Sequence, residues 1–370
     1  MKFSLSKSKL SNCLQSILQV VPTKSTLPIL TNILIEALEN KLKISATDLD
    51  ISITTTVDCT VSRKGAAALP AKILFEIIRE LPEAEIVFES TNTRVEIRVP
   101  NGSYKIAAVS SDDFPKLPAV NTKKEIKVEG EDLVKMIRKT TFACSTDETR
   151  PALNGVLWQT SGDRMQMVAT DGHRLAKVSV ENKKLKGMSE DIIIPPKVLN
   201  LIPKFITGES KEVGVIFGEN NIIFNLADTI LTSRLIEGPY PNFEQVIPSK
   251  NDKKMVISKE ELGGAVRRVS ILSNALTHQV KFAVDKGNLS LSTSNADVGG
   301  EGKEVLECDY QGDTIEIGYN AAYVLDILSK IEEEEVIFEL STPVAAGVVY
   351  SPEVPKEDFL CLIMPLRLAE

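Results

Sequence analysis

The chain has 370 residues, of which 43% are hydrophobic and 25% charged, with a formal net charge of −8. That balance is the composition of an ordinary soluble globular protein, and the length allows two or three domains. Its acidity argues mildly against nucleic acid as a partner, unless the basic residues are gathered on one surface.

In chain order, the first predicted element is a short alternating strand at Phe3 and Leu5. A helix capped by Ser6 follows, with Leu10, Leu14, Ile17, Leu18 and Val21 at helical spacing on one face. Strands are expected at Leu27–Ala37, Leu42–Ala46, Ile51–Val57 and Val61–Leu69, with Asn40, Gly65 and Asn101-Gly102 as turn residues. Pro70 opens a second helix whose apolar arc is Ile73, Ile77 and Leu81. More strands lead to a linker at Pro118–Lys124.

The series then restarts. Leu10 returns as Leu133 and Leu262, 123 and 129 residues apart, each behind a strand (Ile126 and Val128, then Met255 and Ile257). Ser258-x-x-Glu261 reads as a capping box. Ala46-Thr47-Asp48 recurs as Ala169-Thr170-Asp171, Pro70 maps to Pro195 and Gly318, and Phe114-Pro115 maps to Tyr240-Pro241 and Met364-Pro365. A second linker falls at Pro248–Lys254. Such a period is too long for a solenoid, whose repeats run about 20–50 residues. The reading is three domain-sized copies, 1–120, 121–250 and 251–370, each α+β with antiparallel sheets. The copies differ too: only the second is expected to carry the full Thr170–Leu175 turn, and only the third ends in Met364–Leu368.

Basic residues recur on the helix faces opposite the cores. Arg138 and Lys139 follow Leu133 by five and six positions, as Arg267 and Arg268 follow Leu262; the first copy has Gln15 and Ser16 there. In the second helices, Lys72 and Arg79 are matched by Lys197 and Lys204, while the third copy has Asn320 and Ile327. Glu76 and Glu80 dilute the first pair. A lone cation on a helix face is ordinarily a solvated one, but recurrence in an acidic chain points to a surface for phosphates. No aromatic interleaving for single-stranded bases accompanies it, so the pattern suits backbone contact without base reading.

Candidate chemistry fails on inspection. Asp171 and His173 could pair as base and orienter, but no activated nucleophile is identifiable, and a tight turn at Gly172 explains the motif better. The segment Asp297 to Lys303 lacks the first glycine of a phosphate loop, and Glu304 stands where Ser or Thr is needed. Asp112-Asp113 and Glu332 to Glu335 read as solvated acidic turns, and Trp158 as a strand residue packed inward. Five dispersed cysteines without a C-x-x-C pair argue against a disulfide framework or a zinc site and fit a reducing cytosol. Met1 to Leu10 lacks a signal-peptide core, and no run reaches the roughly 18 apolar residues of a membrane span. The expectation is a cytoplasmic protein with no catalytic residue, metal or cofactor.

Several motifs together carry a family resemblance: Leu27-Pro28-Ile29-Leu30, Ala46-Thr47-Asp48-Leu49, Leu153-Asn154-Gly155, Ala169 to Leu175 (ATDGHRL), Ile271-Leu272-Ser273-Asn274, Tyr323-Val324-Leu325-Asp326 and Met364-Pro365-Leu366-Arg367-Leu368. Over essentially its whole length the chain resembles the bacterial sliding clamps, the β subunit of DNA polymerase III. The resemblance implies three repeated clamp domains, each with two helices packed on antiparallel sheets, and a head-to-tail homodimer closing a six-domain ring around double-stranded DNA. It implies that Lys72, Arg79, Arg138, Lys139, Lys197, Lys204, Arg267 and Arg268 face the phosphates, together with Lys24 in the loop before Leu27.

It further implies an apolar cleft for linear motifs of the polymerase III catalytic subunit, the clamp loader complex and other replication and repair proteins. Carried over by position, the cleft is Arg150, Leu153, Thr170, Gly172, His173, Arg174, Leu175, Pro241, Val246, Ala346, Leu362, Met364, Pro365, Leu366 and Arg367, with the arginines as rim contacts. Core packing is the competing reading for Leu175 and Leu362. Tyr104 and Ile106, on an expected edge strand, match one side of the ring interface, and Ile271 and Leu272 the other. Three departures stand out: Ala152 where relatives carry a bulky gate, Pro203 inside an expected helix, and the Ala369-Glu370 extension.

Overall fold

The computed structural model describes residues 1–91, 93–118, 125–185, 189–206, 212–295 and 299–368. Most of the Pro118–Lys124 linker, the expected boundary at residues 120 and 121, Asp297-Val298 and the Ala369-Glu370 extension lie outside the described residues. Six helices appear among them: α1 Lys7–Ile17, α2 Ala71–Glu80, α3 Gly130–Thr140, α4 Pro196–Leu199, α5 Lys259–Ser270 and α6 Ala321–Leu328. None is long and apolar enough to cross a membrane.

The chain forms two compact units, Met1–Glu131 with Lys197–Leu235, and Asp132–Pro196 with Ile236–Glu370. Their borders cut across the threefold repeat, because strands of one copy hydrogen-bond to strands of the next. In the first unit, Ile51–Asp58 pairs with Thr229–Arg234 inside an eight-stranded sheet. In the second, Arg174–Glu181 pairs with Phe359–Ile363 inside a nine-stranded sheet. Each unit also has a smaller sheet, of five strands in the first and four in the second, and every pairing between named strands is antiparallel. A ladder continuous across a junction pairs backbone donors and acceptors there.

The local reading holds at many points. Strands open the three copies at Lys2–Ser6, Glu125–Glu129 and Lys253–Ser258. Ser258 caps α5, its hydroxyl accepting from the Glu261 amide at 3.4 Å. Ser6 occupies the cap position of α1 without a side-chain hydrogen bond. Trp158 is fully buried on the strand Val156–Ser161.

Four expectations are corrected. Leu27–Ala37 is not one strand: Pro28–Thr31 is a 3-10 turn and the strand is Asn32–Ala37, since proline lacks the amide a ladder needs. Val61–Leu69 splits at Lys64 into Thr60–Arg63, in the five-stranded sheet, and Gly65–Pro70, in the eight-stranded one. The buried face of α2 is Ala71, Leu74 and Ile78, continued by Leu81, while Ile73 is exposed. The α1 face ends early, with the helix stopping at Ile17 and Val20 buried in place of Val21.

Pro203 acts as its chemistry requires. The helix it interrupts is reduced to α4, followed by a 3-10 turn at Ile202–Lys204. Gly155 answers to crowding: a Cβ there would lie 2.4 Å from Ile193 Cγ2 and 2.8 Å from Ile236 Cδ1. Gly155→Ala is therefore expected to destabilise the second unit by about 1–3 kcal/mol, read as a lower melting temperature in calorimetry.

Candidate motif-docking site

The site begins with a turn. Thr170 Oγ1 donates to the Arg174 carbonyl (2.7 Å) and accepts from the Gly172 amide (3.1 Å). Asp171 Oδ1 accepts from the amides of His173 (2.8 Å) and Arg174 (2.9 Å). The His173 carbonyl then accepts from the Met364 amide at 2.7 Å, tying the turn to the carboxy-terminal segment.

The same scaffold occurs in the first unit, which corrects the expectation that only the second copy carries this turn. Thr47 Oγ1 donates to the Ile51 carbonyl and accepts from the Leu49 amide. Asp48 Oδ1 accepts from the amides of Asp50 and Ile51, and the Arg234 amide donates to the Asp50 carbonyl. Leu49 holds φ 83° where Gly172 holds φ 90°. What differs is the adjoining ladder pair: Leu175 faces Leu362, whereas Ser52 faces Thr232. Among the described residues, an apolar ladder pair lies beside this turn in the second unit and a polar pair in the first.

The apolar pair belongs to a floor, a buried cluster of Leu157, Val168, Leu175, Ile193, Phe243, Ala346, Val348, Leu360 and Leu362. Ala152, Ile236, Tyr240, Ile247 and Tyr350 pack against it partly buried. Leu175 and Leu362 thus take the core reading, as floor. Leu153 is also buried, on the 3-10 turn Pro151–Asn154. Exposed apolar residues adjoin the floor in the chain. Val246 ends the 3-10 turn that begins at Phe243, Val344 precedes Ala346 by two, and Met364 follows Leu362 by two. Pro241 is exposed, and Pro365 and Leu366 are half-buried. The tail is held by its backbone, the Leu366 amide donating to the Gly318 carbonyl at 2.7 Å and Gln279 Nε2 to the Arg367 carbonyl at 2.9 Å. A Cβ on residue 318 would stand 2.7 Å from the Leu366 carbonyl oxygen, so glycine replaces the proline of the other two copies where the tail passes. Val344 was missed from sequence because nothing in a loop valine signals exposure.

The arginines separate into two kinds. Arg150 is exposed and pairs with Asp147 at 2.9 Å, and Arg367 is exposed; both fit a rim. Arg174 does not. Its side chain is 11% exposed and lies between Asp171 and Asp326. The charge of an arginine near an apolar site looked like a rim feature, but the fold supplies two carboxylates that take it inward.

The basic face is thinner than its repeat pattern. Lys24, Lys72, Arg138 and Arg267 are exposed. Arg79 bonds Glu80 (2.9 Å), Lys197 bonds Asp48 (2.5 Å), Lys204 bonds Gln19 (2.7 Å) and Arg268 grips Glu304 with two hydrogen bonds (2.8 and 2.7 Å). The exposed ion pairs of Arg79 and Arg268 are readily exchanged, so these cations remain recruitable, whereas the Asp48 side chain is only 14% exposed and holds Lys197. Lys135, exposed on α3 one turn before Arg138 and Lys139, was missed although helical spacing could have found it.

Lys139 is a correction. It is 2% exposed, with Nζ 4.4 Å above the Phe359 ring. It sits on the flank of α3, and the strand Phe359–Ile363 covers that flank at the helix end. Burial holds its ammonium below the usual lysine range. The folded state therefore binds this proton less tightly than the unfolded one. The resulting penalty is present at neutral pH and fades as pH rises through the lowered value toward about 10.4. Lys139→Met is expected to stabilise the chain by about 1 kcal/mol at pH 7, with the gain shrinking by pH 10, as paired thermal melts would show.

Of the outer strands of the four sheets, two carry an exposed large apolar side chain. Gly102–Ala107 is an outer strand of the five-stranded sheet, carrying Tyr104 exposed and Ile106 turned into the core. Gly300–Glu307 is an outer strand of the four-stranded sheet, with Val305 exposed. In the same unit Ile271 is 78% exposed, Leu276 is 91% exposed and Leu272 is half-buried. Val305 and Leu276 were not found from sequence.

Enzyme chemistry gains nothing from the fold. The Asp171 carboxylate is spent on two backbone amides and Arg174 Nε, and the His173 ring lies against Tyr323 at 6.3 Å. Burial pushes the Cys144 and Cys361 thiols up to about 12, so neither supplies a thiolate.

Comparison with known proteins agrees over the whole length. Profiles of the DNA polymerase III beta subunit match in chain order: the N-terminal domain at residues 1–118, the central domain at 127–242 and the C-terminal domain at 244–367. The beta sliding clamp of Chlamydia pneumoniae is 32% identical over 369 residues, covering 100% of this chain and 99% of its own. That of Caulobacter vibrioides is 31% identical over 375 residues, covering 100% of both. Among solved structures, the sliding clamp of Pseudomonas aeruginosa bound to griselimycin superposes with a TM-score of 0.94 at 28% identity, and that of Bartonella birtlesii with 0.94 at 32%, each covering 100% of both chains.

Proposed function

We infer the working assembly from one premise: the chain belongs to the DNA polymerase III beta subunit family, the bacterial sliding clamps. It is a processivity factor built of three clamp domains and has no catalytic step of its own. We place the domain boundaries near residues 120 and 250. In this reading two copies join head to tail, the Gly102–Ala107 edge of one meeting the Gly300–Glu307 edge of the other, and close a ring around duplex DNA. The observation that carries the ring is this pair of open edges with exposed apolar neighbours, Tyr104 against Ile271, Leu276 and Val305. Open edges with such residues invite association, and a heterologous pair of them closes if the rotation permits.

Lys24, Lys72, Lys135, Arg138 and Arg267 then meet phosphates weakly and without reading bases, while Lys139 plays no part. Retention comes from closure, so tight contact is unnecessary and would hinder sliding. The apolar floor with Val246, Val344 and Met364 receives short motifs of the polymerase III catalytic subunit, the clamp loader and other replication and repair proteins, in the cytoplasm. The decisive experiment loads the protein on nicked circular DNA with a clamp loader and then cuts the circle. Protein should run off the new ends; protein that stays on the linear DNA sinks the topological reading.

A further inference from the structure

We propose that Arg174 is a positioning residue of the docking floor, and that its ion pair with Asp326 on α6 sets how well that floor receives a motif. The proposal rests on the docking role inferred above. All three guanidinium nitrogens are engaged away from the apolar surface: Nε with Asp171 Oδ2 (3.1 Å), Nη1 with Asp326 Oδ2 (2.5 Å) and Nη2 with the Phe142 carbonyl (2.8 Å). The faces of the group are covered as well, by the Tyr323 ring 4.5 Å from its central carbon and the Phe142 ring at 5.3 Å. Three of its five N–H donors are spent and the side chain is 11% exposed, so the group offers a bound peptide little to grip. The backbone of the same residue, in contrast, lies in the floor: Arg174 pairs with Ile363 and Leu175 with Leu362. One residue therefore has its main chain in the docking wall and its side chain in a helix behind it.

The first unit supports the assignment independently. Its matching turn is also pinned by an ion pair to the second helix of the following copy, Asp48 to Lys197 on α4. The cation and the acid exchange places between the units, while the mechanical link from turn to helix is kept. In the first unit the link stands beside the polar pair Ser52 and Thr232. In the second it stands beside Leu175 and Leu362, and whatever moves α6 moves the wall of the site through a charge-assisted contact.

The test uses full-length protein and a fluorescent pentapeptide with leucine and phenylalanine anchors. Asp326→Asn keeps the shape of a half-exposed side chain on α6 and removes its charge. It should weaken the peptide about 3–10-fold, Arg174→Ala about 10–30-fold, and the double variant no more than Arg174→Ala, because coupled residues do not add. Hydrogen exchange in residues 359–368 should quicken in both single variants, as the Met364 amide loses its hold on the His173 carbonyl, with the melting temperature of Asp326→Asn little changed. If Arg174→Ala does not fold, Arg174→Lys takes its place. Wild-type affinity in Asp326→Asn would show that the ion pair does not set the floor, and multiplying effects would show that the two residues act independently; either would overturn the proposal. If the wild type ignores the peptide, the docking reading fails, yet unchanged exchange in Asp326→Asn still refutes the positioning role separately.

Discussion

Replacing Val246 and Met364 together by aspartate should leave the chain folded and cost more than about 100-fold in affinity for an apolar-anchor peptide. Both side chains are exposed in the free protein, so their loss removes little from the folded state; surface changes of this kind usually stay within about 0.5 kcal/mol. On docking, each would be covered by an anchor. Burying an aliphatic side chain of this size is worth about 1.5–3 kcal/mol, and two of them exceed the roughly 2.8 kcal/mol that separates a hundredfold in affinity. Aspartate adds the desolvation of a charge without a partner. Fluorescence anisotropy measures the affinity and a thermal melt confirms the fold. Retention of wild-type binding would place the docking surface elsewhere. The matching surface of the first unit, with Ser52 and Thr232 in the ladder, should bind no such peptide.

The second large effect concerns the ring. Ile271→Asp with Leu276→Asp should convert the proposed dimer to monomer at micromolar concentration. These residues are 78% and 91% exposed in the single chain, and the proposed contact would bury both. Losing two apolar contacts removes about 3–6 kcal/mol from each interface. The new charges would also stand in the unit whose edge strand already carries Glu301, Glu304 and Glu307. A head-to-tail contact makes a sharper forecast. Tyr104→Asp injures the other side of the interface, so mixing it with the double variant should restore one interface of two and give open dimers. Sedimentation velocity distinguishes monomer, open dimer and closed dimer. A double variant that still sediments as the parent dimer would show that these edges do not meet.

Both forecasts use residues that the sequence located unequally. Met364 and Ile271 stand in motifs, and their positions were legible because the repeat and the family pattern give an address. Val344, Leu276 and Val305 carry no such address; a valine in a loop looks the same whether it faces solvent or core. Helix faces were legible to about one residue. Spacing alone put Ile73 on the apolar arc of α2, but the buried line is Ala71, Leu74 and Ile78, one step around the helix. The same tolerance misplaced Lys139, which lies on the flank of α3, at a margin where a covering strand from 220 residues away decides whether a side chain is wet.

What the sequence determined by itself was the content of each copy: a strand, helices, turns at Asn40 and Asn101, a break at Pro203, and the order in which these recur. Those depend on periodicity and on the fixed chemistry of proline, glycine and capping residues, all of them local. Only the tertiary structure decided how the copies are joined. Cross-copy ladders made two compact units out of three repeats. They set Leu175 against Leu362 and Ser52 against Thr232, and they turned Arg174 from a presumed rim contact into a buried link. The physical reason is that burial and ion pairing are properties of what packs against a residue, and for these residues the neighbour comes from another copy of the repeat.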